Sequence, residues 1–208
     1  MIQNTSKQSF LLASWYTDDF AYTRIMETHI KPSFDSLGVD YTIVKLPSQG
    51  DWRANTDLKP KVVKQLLSVA KQDTVLIDCD ARLLAYPTLF DNLPLEFDMA
   101  VHYLDRAKWY QLGNAHKELC SGTLFFRNRP ICHEIVDKWQ EEVKVARVVE
   151  QTVLEQIIAK NRKVKVYNLP VEYCWIHDLP DGSKPKVQPN GPIIVEHFQA
   201  SRQNRKGR

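Results

Sequence analysis

Val75-Leu76-Ile77-Asp78-Cys79-Asp80 is an apolar run that ends in two carboxylates spaced i, i+2. An uninterrupted apolar run suits a strand buried on both faces, as in a parallel sheet covered by helices. In an extended chain residues i and i+2 point to the same side, so Asp78 and Asp80 share a face. Two carboxylates brought together resist ionising unless a cation neutralises them. A hard divalent cation such as Mg²⁺ or Mn²⁺ is the natural partner, through oxygen ligands and often with substrate phosphates. In α/β sheets ligands gather beyond the carboxyl ends of the strands, which is where this pair falls.

The flanking sequence predicts the rest of such a sheet. Just upstream, Leu58–Ala70 places Val62, Val63, Leu66, Leu67 and Ala70 at helical spacing, with Pro60 suited to a first turn. Further upstream, strand-like runs at Ser9–Tyr16 and Tyr41–Leu46 bracket a helical pattern over Phe20–Leu37. Asp18 or Asp19 supplies its N-cap and Gly38 its stop. Downstream, strand-like runs fall at Met99–Leu104, Gly122–Phe126, Val164–Tyr167 and Ile193–Phe198. Helical patterns fall at Ile131–Val145 and Glu150–Lys160, with a break near Arg147 between them. Strands alternating with helices predict an α/β fold with a mostly parallel central sheet flanked by helices. Residues 168–192, with Pro170, Pro180, Pro185, Pro189 and Pro192, read as an irregular excursion of the functional or mobile kind.

Size and composition bound the function. The chain has 208 residues, 43% hydrophobic and 25% charged, which is one generous globular domain that needs no disulfide or metal to fold. No apolar run exceeds four residues, Phe10–Ala13 being one of that length, against the roughly 20 needed to span a membrane. Cys79, Cys120, Cys132 and Cys174 form no C-x-x-C pair and read as reduced cysteines of a cytoplasmic protein. The net charge of +3 is carried by the end of the chain. Residues 1–195 balance, whereas the segment from Glu196 holds Arg202, Arg205, Lys206 and Arg208 against Glu196 alone. Residues 199–208 therefore read as a basic tail, a solvated end or one that meets phosphates of a diphosphate or a nucleic acid. Phosphate cradling by a Gly-rich loop is unsupported, because neither G-x-x-x-x-G-K-[ST] nor G-x-G-x-x-G occurs. G-x-S-x-G and H-E-x-x-H are absent too. Two families with D-x-D after a strand then remain. In haloacid-dehalogenase phosphatases the first Asp, here Asp78, is the nucleophile of D-x-D-x-[TV], but position 82 is Arg. In nucleotide-sugar glycosyltransferases of the GT-A fold the motif binds the metal that holds the diphosphate. A non-catalytic nucleotide-sugar- or nucleic-acid-binding module is the alternative from a different class.

An ordered set of blocks resembles small, glycogenin-like GT-A glycosyltransferases. Asp51-Trp52-Arg53-Ala54-Asn55-Thr56, Leu58-Lys59-Pro60-Lys61 and the helix before Asp78 resemble a W-x-x-N…K-P…D-A-D order. Leu119–Asn128 is similar to an S-G-x-x-x-F-R strand, and Glu150-Gln151-Thr152-Val153-Leu154 to D-Q-x-x-L, with Glu in place of Asp. Val195-Glu196-His197-Phe198 resembles a terminal H-F segment, without the K-P-W that follows it in the family.

The resemblance implies a single GT-A domain over residues 1–198. The implied activity is hexosyl or pentosyl transfer from a nucleoside-diphosphate sugar, UDP-linked, to a hydroxyl acceptor. The acceptor is a small molecule, a protein, or nucleic acid bearing a modified base. Mn²⁺ or Mg²⁺ would be held by Asp78, Asp80 and His197, with Asp80 the direct ligand and Asp78 in a ribose or water-mediated role. Trp15, Tyr16 or Thr17 would receive the nucleobase. Arg53, Lys59 and Arg202 would meet the diphosphate, and Asn55 belongs to the donor site. Ser121, Gly122 and Gln151 would lie near the transferred sugar. Glu150 is the carboxylate for the acceptor proton or the oxocarbenium partner.

Overall fold

The computed structural model describes residues 8–110, 116–178, 185 and 187–200. The N-terminal part runs β1 (Phe10–Thr17), α1 (Phe20–Thr28), α2 (Ile30–Leu37), β2 (Tyr41–Leu46), α3 (Trp52–Thr56), α4 (Lys59–Ala70) and β3 (Asp73–Asp78). It continues as β4 (Ala81–Leu83), β5 (Met99–Asp105), α5 (Arg106–Tyr110), β6 (Lys117–Phe126), α6 (Pro130–Glu142) and α7 (Glu150–Lys160). The end comprises β7 (Val166–Asn168), a 3₁₀ turn at Val171–Tyr173, β8 (Trp175–Ile176) and β9 (Val195–His197).

The central sheet has the order β2-β1-β3-β6-β5-β7. Every pairing is parallel except the two made by β6, which runs against both of its neighbours. The mostly parallel α/β architecture predicted from the sequence is therefore the fold. The Val75 run explains its own lack of alternation: Leu76 packs into the core on one face of the sheet, Val75 and Ile77 into the core on the other. The first core takes Val63 and Leu67 of α4, Trp139 of α6 and Leu154 of α7. The second takes Met26 of α1, Ile30 and Phe34 of α2, and Phe90 and Leu93 from the loop after β4. Burying one such side chain contributes about 1.5–3 kcal/mol, so both faces of β3 anchor the strand that delivers Asp78.

Several boundaries differ from the sequence expectation. The helix expected over Phe20–Leu37 is two helices, broken at His29. Pro32 lacks the N–H that an unbroken helix would send to Thr28, and its ring would crowd that carbonyl, so it sits in the first turn of α2 instead. The ends were as expected: Asp19 caps α1 by accepting from the Tyr22 amide, and Gly38 closes α2 at φ 60°. β6 begins at Lys117, well before Gly122. The strand expected over Ile193–Phe198 is the shorter β9, and it lies outside the central sheet. It pairs antiparallel with β4 and parallel with β8 in a separate three-stranded sheet. Arg82 and Glu196 form an ion pair across that sheet at 2.8 Å. Phe198 is held beyond it, stacked on His29 at 4.5 Å with the Arg82 guanidinium over its ring. Because β4 begins straight after Asp80, the two aspartates stand at the seam between the sheets.

Trp139 ties α6 to the start of α7: it is fully buried, and its indole N–H donates to the Glu150 carbonyl at 2.8 Å. Trp139→Phe keeps most of the packing and removes that hydrogen bond, while the Glu150 carbonyl keeps its place in the α7 ladder. It is expected to lower the unfolding free energy by about 0.5–1.5 kcal/mol, read from urea denaturation as a lower midpoint at unchanged slope.

Candidate active site

A cleft of about 350 Å³ opens at the carboxyl ends of β1 and β3, as the parallel-sheet rule requires. Trp15, Tyr16 and Thr17 reach it from β1, Asn55 from α3, and Lys59 from the first residue of α4. Asp78 and Asp80 reach it from the end of β3, Glu150 and Gln151 from the start of α7, and His197 from β9. Ser121 and Gly122 arrive by a different device. Val101 pairs with Leu124 and the next residue, His102, with Cys120, so Ser121–Thr123 are a surplus on β6 that leaves the β5 ladder. A bulge of this kind re-aims side chains, and here Ser121 and Gly122 face the cleft.

Lys59 is the hub. It is 3% exposed, and its ammonium lies 3.0 Å from Asp78 Oδ1 and 3.1 Å from Glu150 Oε1. It also donates to the Ser121 carbonyl at 3.1 Å and the Ser121 hydroxyl at 2.9 Å. Burial alone would lower the lysine pKa, but the charges of Asp78 and Glu150 outweigh it and the pKa rises, so the ammonium is permanent. The Ser121 hydroxyl in turn donates a hydrogen bond to Glu150 Oε1 at 2.7 Å. Glu150 is raised above the usual carboxylate range by burial, with Lys59 and Ser121 pulling it back. Its second oxygen, Oε2, is buried with no hydrogen-bond partner among the described residues. The position at the N-terminus of α7 favours the anion by the helix dipole.

Asp80 stands beside this hub. Its Oδ2 accepts from the Ala200 amide at 2.8 Å, and its carboxyl is pushed up to about 6 by burial and then by the charge of Asp78. His197 is buried and neutral, its pKa lowered to about 4 chiefly by desolvation. Its Nε2 bonds the Thr123 hydroxyl at 2.9 Å, and its ring lies against Gly122 so closely that a Cβ there would fall 2.7 Å from Cε1. Glycine at 122 is thus required by close approach. Trp15 is mostly buried, with its indole N–H 3.4 Å from Asp78 Oδ1, so it serves packing and the cleft together. Thr17 spends its hydroxyl on Asp19, and Asn55 holds the Gln49 amide.

Of the residues singled out in the sequence, two do not join the cleft as described. Arg53 pairs with Asp57 at 3.1 Å and donates to the Ala146 and Val148 carbonyls, so its guanidinium staples α3 to the loop before α7. Arg202, with the rest of the tail from Ser201, lies outside the described residues. Leu104, Tyr110, Cys120, Cys174 and Ile176 line the cleft without having been anticipated. Leu104 and Cys120 were legible only as members of strand-like stretches, and Cys174 and Ile176 lie inside the Pro-rich excursion.

Residues 15–204 match the family described as nucleotide-diphospho-sugar transferase. The chain belongs to that family. The match covers nearly all of the sequence, and the phosphatase alternative at Asp78 is set aside with it. No curated protein matches the chain in sequence. Solved structures of similar fold include a glycosyltransferase involved in glycosylation of the major capsid of PBCV-1. It shares 11% identity at a TM-score of 0.64, over 96% of this chain and 98% of that one. Mouse xyloside xylosyltransferase 1 shares 9% identity at 0.55, over 92% and 98% of the two chains. The galactosyltransferase LgtC shares 10% at 0.54, over 91% and 87%. At such identities the likeness is one of fold, here the GT-A fold of glycosyltransferases, and it embraces the whole described architecture. No helix among the described residues is long and apolar enough to cross a membrane.

The raised carboxyl of Asp80 sets a testable pH dependence. The folded chain holds that proton more tightly than the unfolded chain does. Stability therefore falls as pH rises from the ordinary 3.8 through about 6. Asp80→Asn removes the conflict. It is expected to raise the melting temperature at neutral pH, by roughly 2–4 °C for each kcal/mol gained, and to flatten the slope across that window in thermal scans.

Proposed function

We propose that this chain moves a sugar from a nucleoside-diphosphate sugar, UDP-linked, to an acceptor hydroxyl. The observation that carries this reading is the Lys59 hub. It fixes two carboxylates and a serine at the inner end of a cleft, and one buried carboxylate oxygen, Glu150 Oε2, is left to accept from a ligand. A buried acceptor without a donor costs about 1–3 kcal/mol. A sugar hydroxyl donating to Oε2 removes that cost only when bound, so the site favours a polyol over an apolar occupant. Tyr16 and Trp15, on the β1 side of the cleft, offer the flat surface for the nucleobase. Gln151 and Ser121 flank the transferred sugar. The wall of Leu104, Tyr110 and Ile176 is left for the acceptor.

The charges of the hub bear on a metal. One ammonium faces three carboxylates, Asp78, Glu150 and Asp80, and His197 is neutral. With all three ionised, the surplus is the charge of one divalent cation, and Asp80 is the group that carries the strain. Oxygen donors with unbalanced negative charge fit Mn²⁺ or Mg²⁺, so Asp80, with Asp78 beside it, would hold the ion. His197 has its Nε2 engaged by Thr123, and as placed no three His, Cys, Asp or Glu among the described residues are grouped as a ligand set. Bound there, the ion supplies Lewis-acid neutralisation of the departing diphosphate. The protein's own part is to orient. Lys59 holds Asp78 and Glu150 apart from each other's charge, and Ser121 fixes the direction of Oε1, which leaves Oε2 as the oxygen without a donor. Glu150, with its raised pKa, is the group placed to hold a hydroxyl proton as transfer proceeds.

Purified protein is to be incubated with a panel of nucleotide sugars with and without Mn²⁺, reading released nucleoside diphosphate. Release that requires both a UDP-sugar and the ion is expected, and Asp80→Ala abolishes it without loss of the folded state. Donor binding without release under all conditions would instead make the chain a binding module. His197→Ala is expected to weaken Mn²⁺ affinity about 10–100-fold, the scale of losses even from residues that only support metal ligands; unchanged affinity with a lower melting temperature returns His197 to the core. Gly122→Ala, by pressing a methyl against the His197 ring, is expected to lower turnover more than it lowers stability.

A further inference from the structure

Three of the four free cysteines line the cleft, Cys79, Cys120 and Cys174, and the last two meet in its wall. Cys120 closes the paired part of β6 just before the surplus residues, and Cys174 lies between the 3₁₀ turn and β8. The Cys174 thiol hydrogen-bonds to Cys120, and that bond, then burial, raises its pKa well above the ordinary range. Cys79 borders the cleft but is buried in the second core, and Cys132 lies in the first, where its thiol donates to the Asp98 carbonyl. Cys120 is half-buried and faces the cleft, whereas Cys174 is 3% exposed.

We propose that Cys120 and Cys174 form a thiol–disulfide exchange site that takes a small dialkyl disulfide of the glutathione class and closes to an intramolecular disulfide. Cys120 attacks first, being the sulfur that the cleft exposes and that the Cys174 S–H already faces. Its proton is lost to water in the cleft, its sulfur bonds to one sulfur of the small disulfide, and the S–S bond of that molecule breaks. The first small thiol leaves with a proton, and Cys120 is held as a mixed disulfide. Cys174 then attacks the Cys120 sulfur and expels the second small thiol, which takes up the remaining proton. Two protein thiols are oxidised, one small disulfide is reduced to two thiols, and no other reactant is consumed. The new bond ties β6 to the segment that leads into β8, which pairs with the strand carrying His197. The exchange needs no sugar chemistry, so it stands or falls separately from the transferase reading.

The test is to incubate the whole reduced protein with oxidised glutathione, denature it in acid, and map the thiols by peptide mass spectrometry. The expected result is the loss of two of the four titratable thiols and of two hydrogens in mass, a peptide linking Cys120 to Cys174, and full reversal by dithiothreitol. Four free thiols after incubation, or a linkage through Cys79 or Cys132, overturns the proposal. Cys174→Ser is expected to stop at a single glutathione adduct on Cys120, and Cys120→Ser to leave Cys174 unmodified. An adduct on Cys174 in the second variant overturns the assigned order of attack. The wild-type map decides the pairing even if a variant folds poorly.

Discussion

A single buried ammonium fixes the geometry of the working end of this protein. Lys59 begins α4, yet its charge is spent on the last residue of β3, the first residue of α7 and the surplus of β6. Removing one partner of a buried ion pair costs about 3–5 kcal/mol, because the survivor is left uncompensated. Here the survivor would be two carboxylates rather than one. The helix start, the strand end and the bulge are therefore held in register by one side chain, and the cleft shape follows from it. Lys59 also divides the labour of the acids. Asp78 and Glu150 share its charge, while Asp80, two residues on, is left with its pKa raised to about 6.

Much of this was legible in the sequence, for identifiable reasons. The Val75–Asp80 stretch encodes burial on both faces and a polar end, and helical spacing fixes α4. Those signals are local, and the fold follows from them. The order of the motif blocks brought twelve of the named residues to one cleft, Asn55, Gln151 and His197 among them. What the sequence hid was non-local. Arg53 has the composition of a phosphate ligand, but its partners are Asp57, four residues on, and two carbonyls more than ninety residues away. Pro32 marked the break between α1 and α2, yet the helical pattern on either side of it was strong enough to mask the signal. The small sheet was invisible because β4, β8 and β9 are two or three residues each, too short to show a period.

The wall of Leu104, Tyr110 and Ile176 was the least legible part. Leu104 and Ile176 belong to a small apolar cluster with Trp109 that stands apart from both main cores. Such residues look like ordinary core in a sequence, and only the bulge in β6 reveals that they border open space. The same bulge places Cys120 beside Cys174, from segments separated by more than fifty residues. That wall is thus built from long-range pairings, whereas the side that carries Trp15, Lys59 and Asp78 is built from the ends of consecutive β–α units.

The surplus of three residues in β6 also bears on which lengths of chain this fold tolerates. Side chains alternate along a strand, so a shift of one residue turns every side chain beyond it to the opposite face. Losing one residue between Cys120 and Leu124 would leave the hairpin toward Lys117 either mispaired with β5 or facing the wrong way. Ser121 would leave Lys59, and Gly122 would no longer be the residue under His197. Natural variation in length among relatives should therefore leave the count from Cys120 to Leu124 constant.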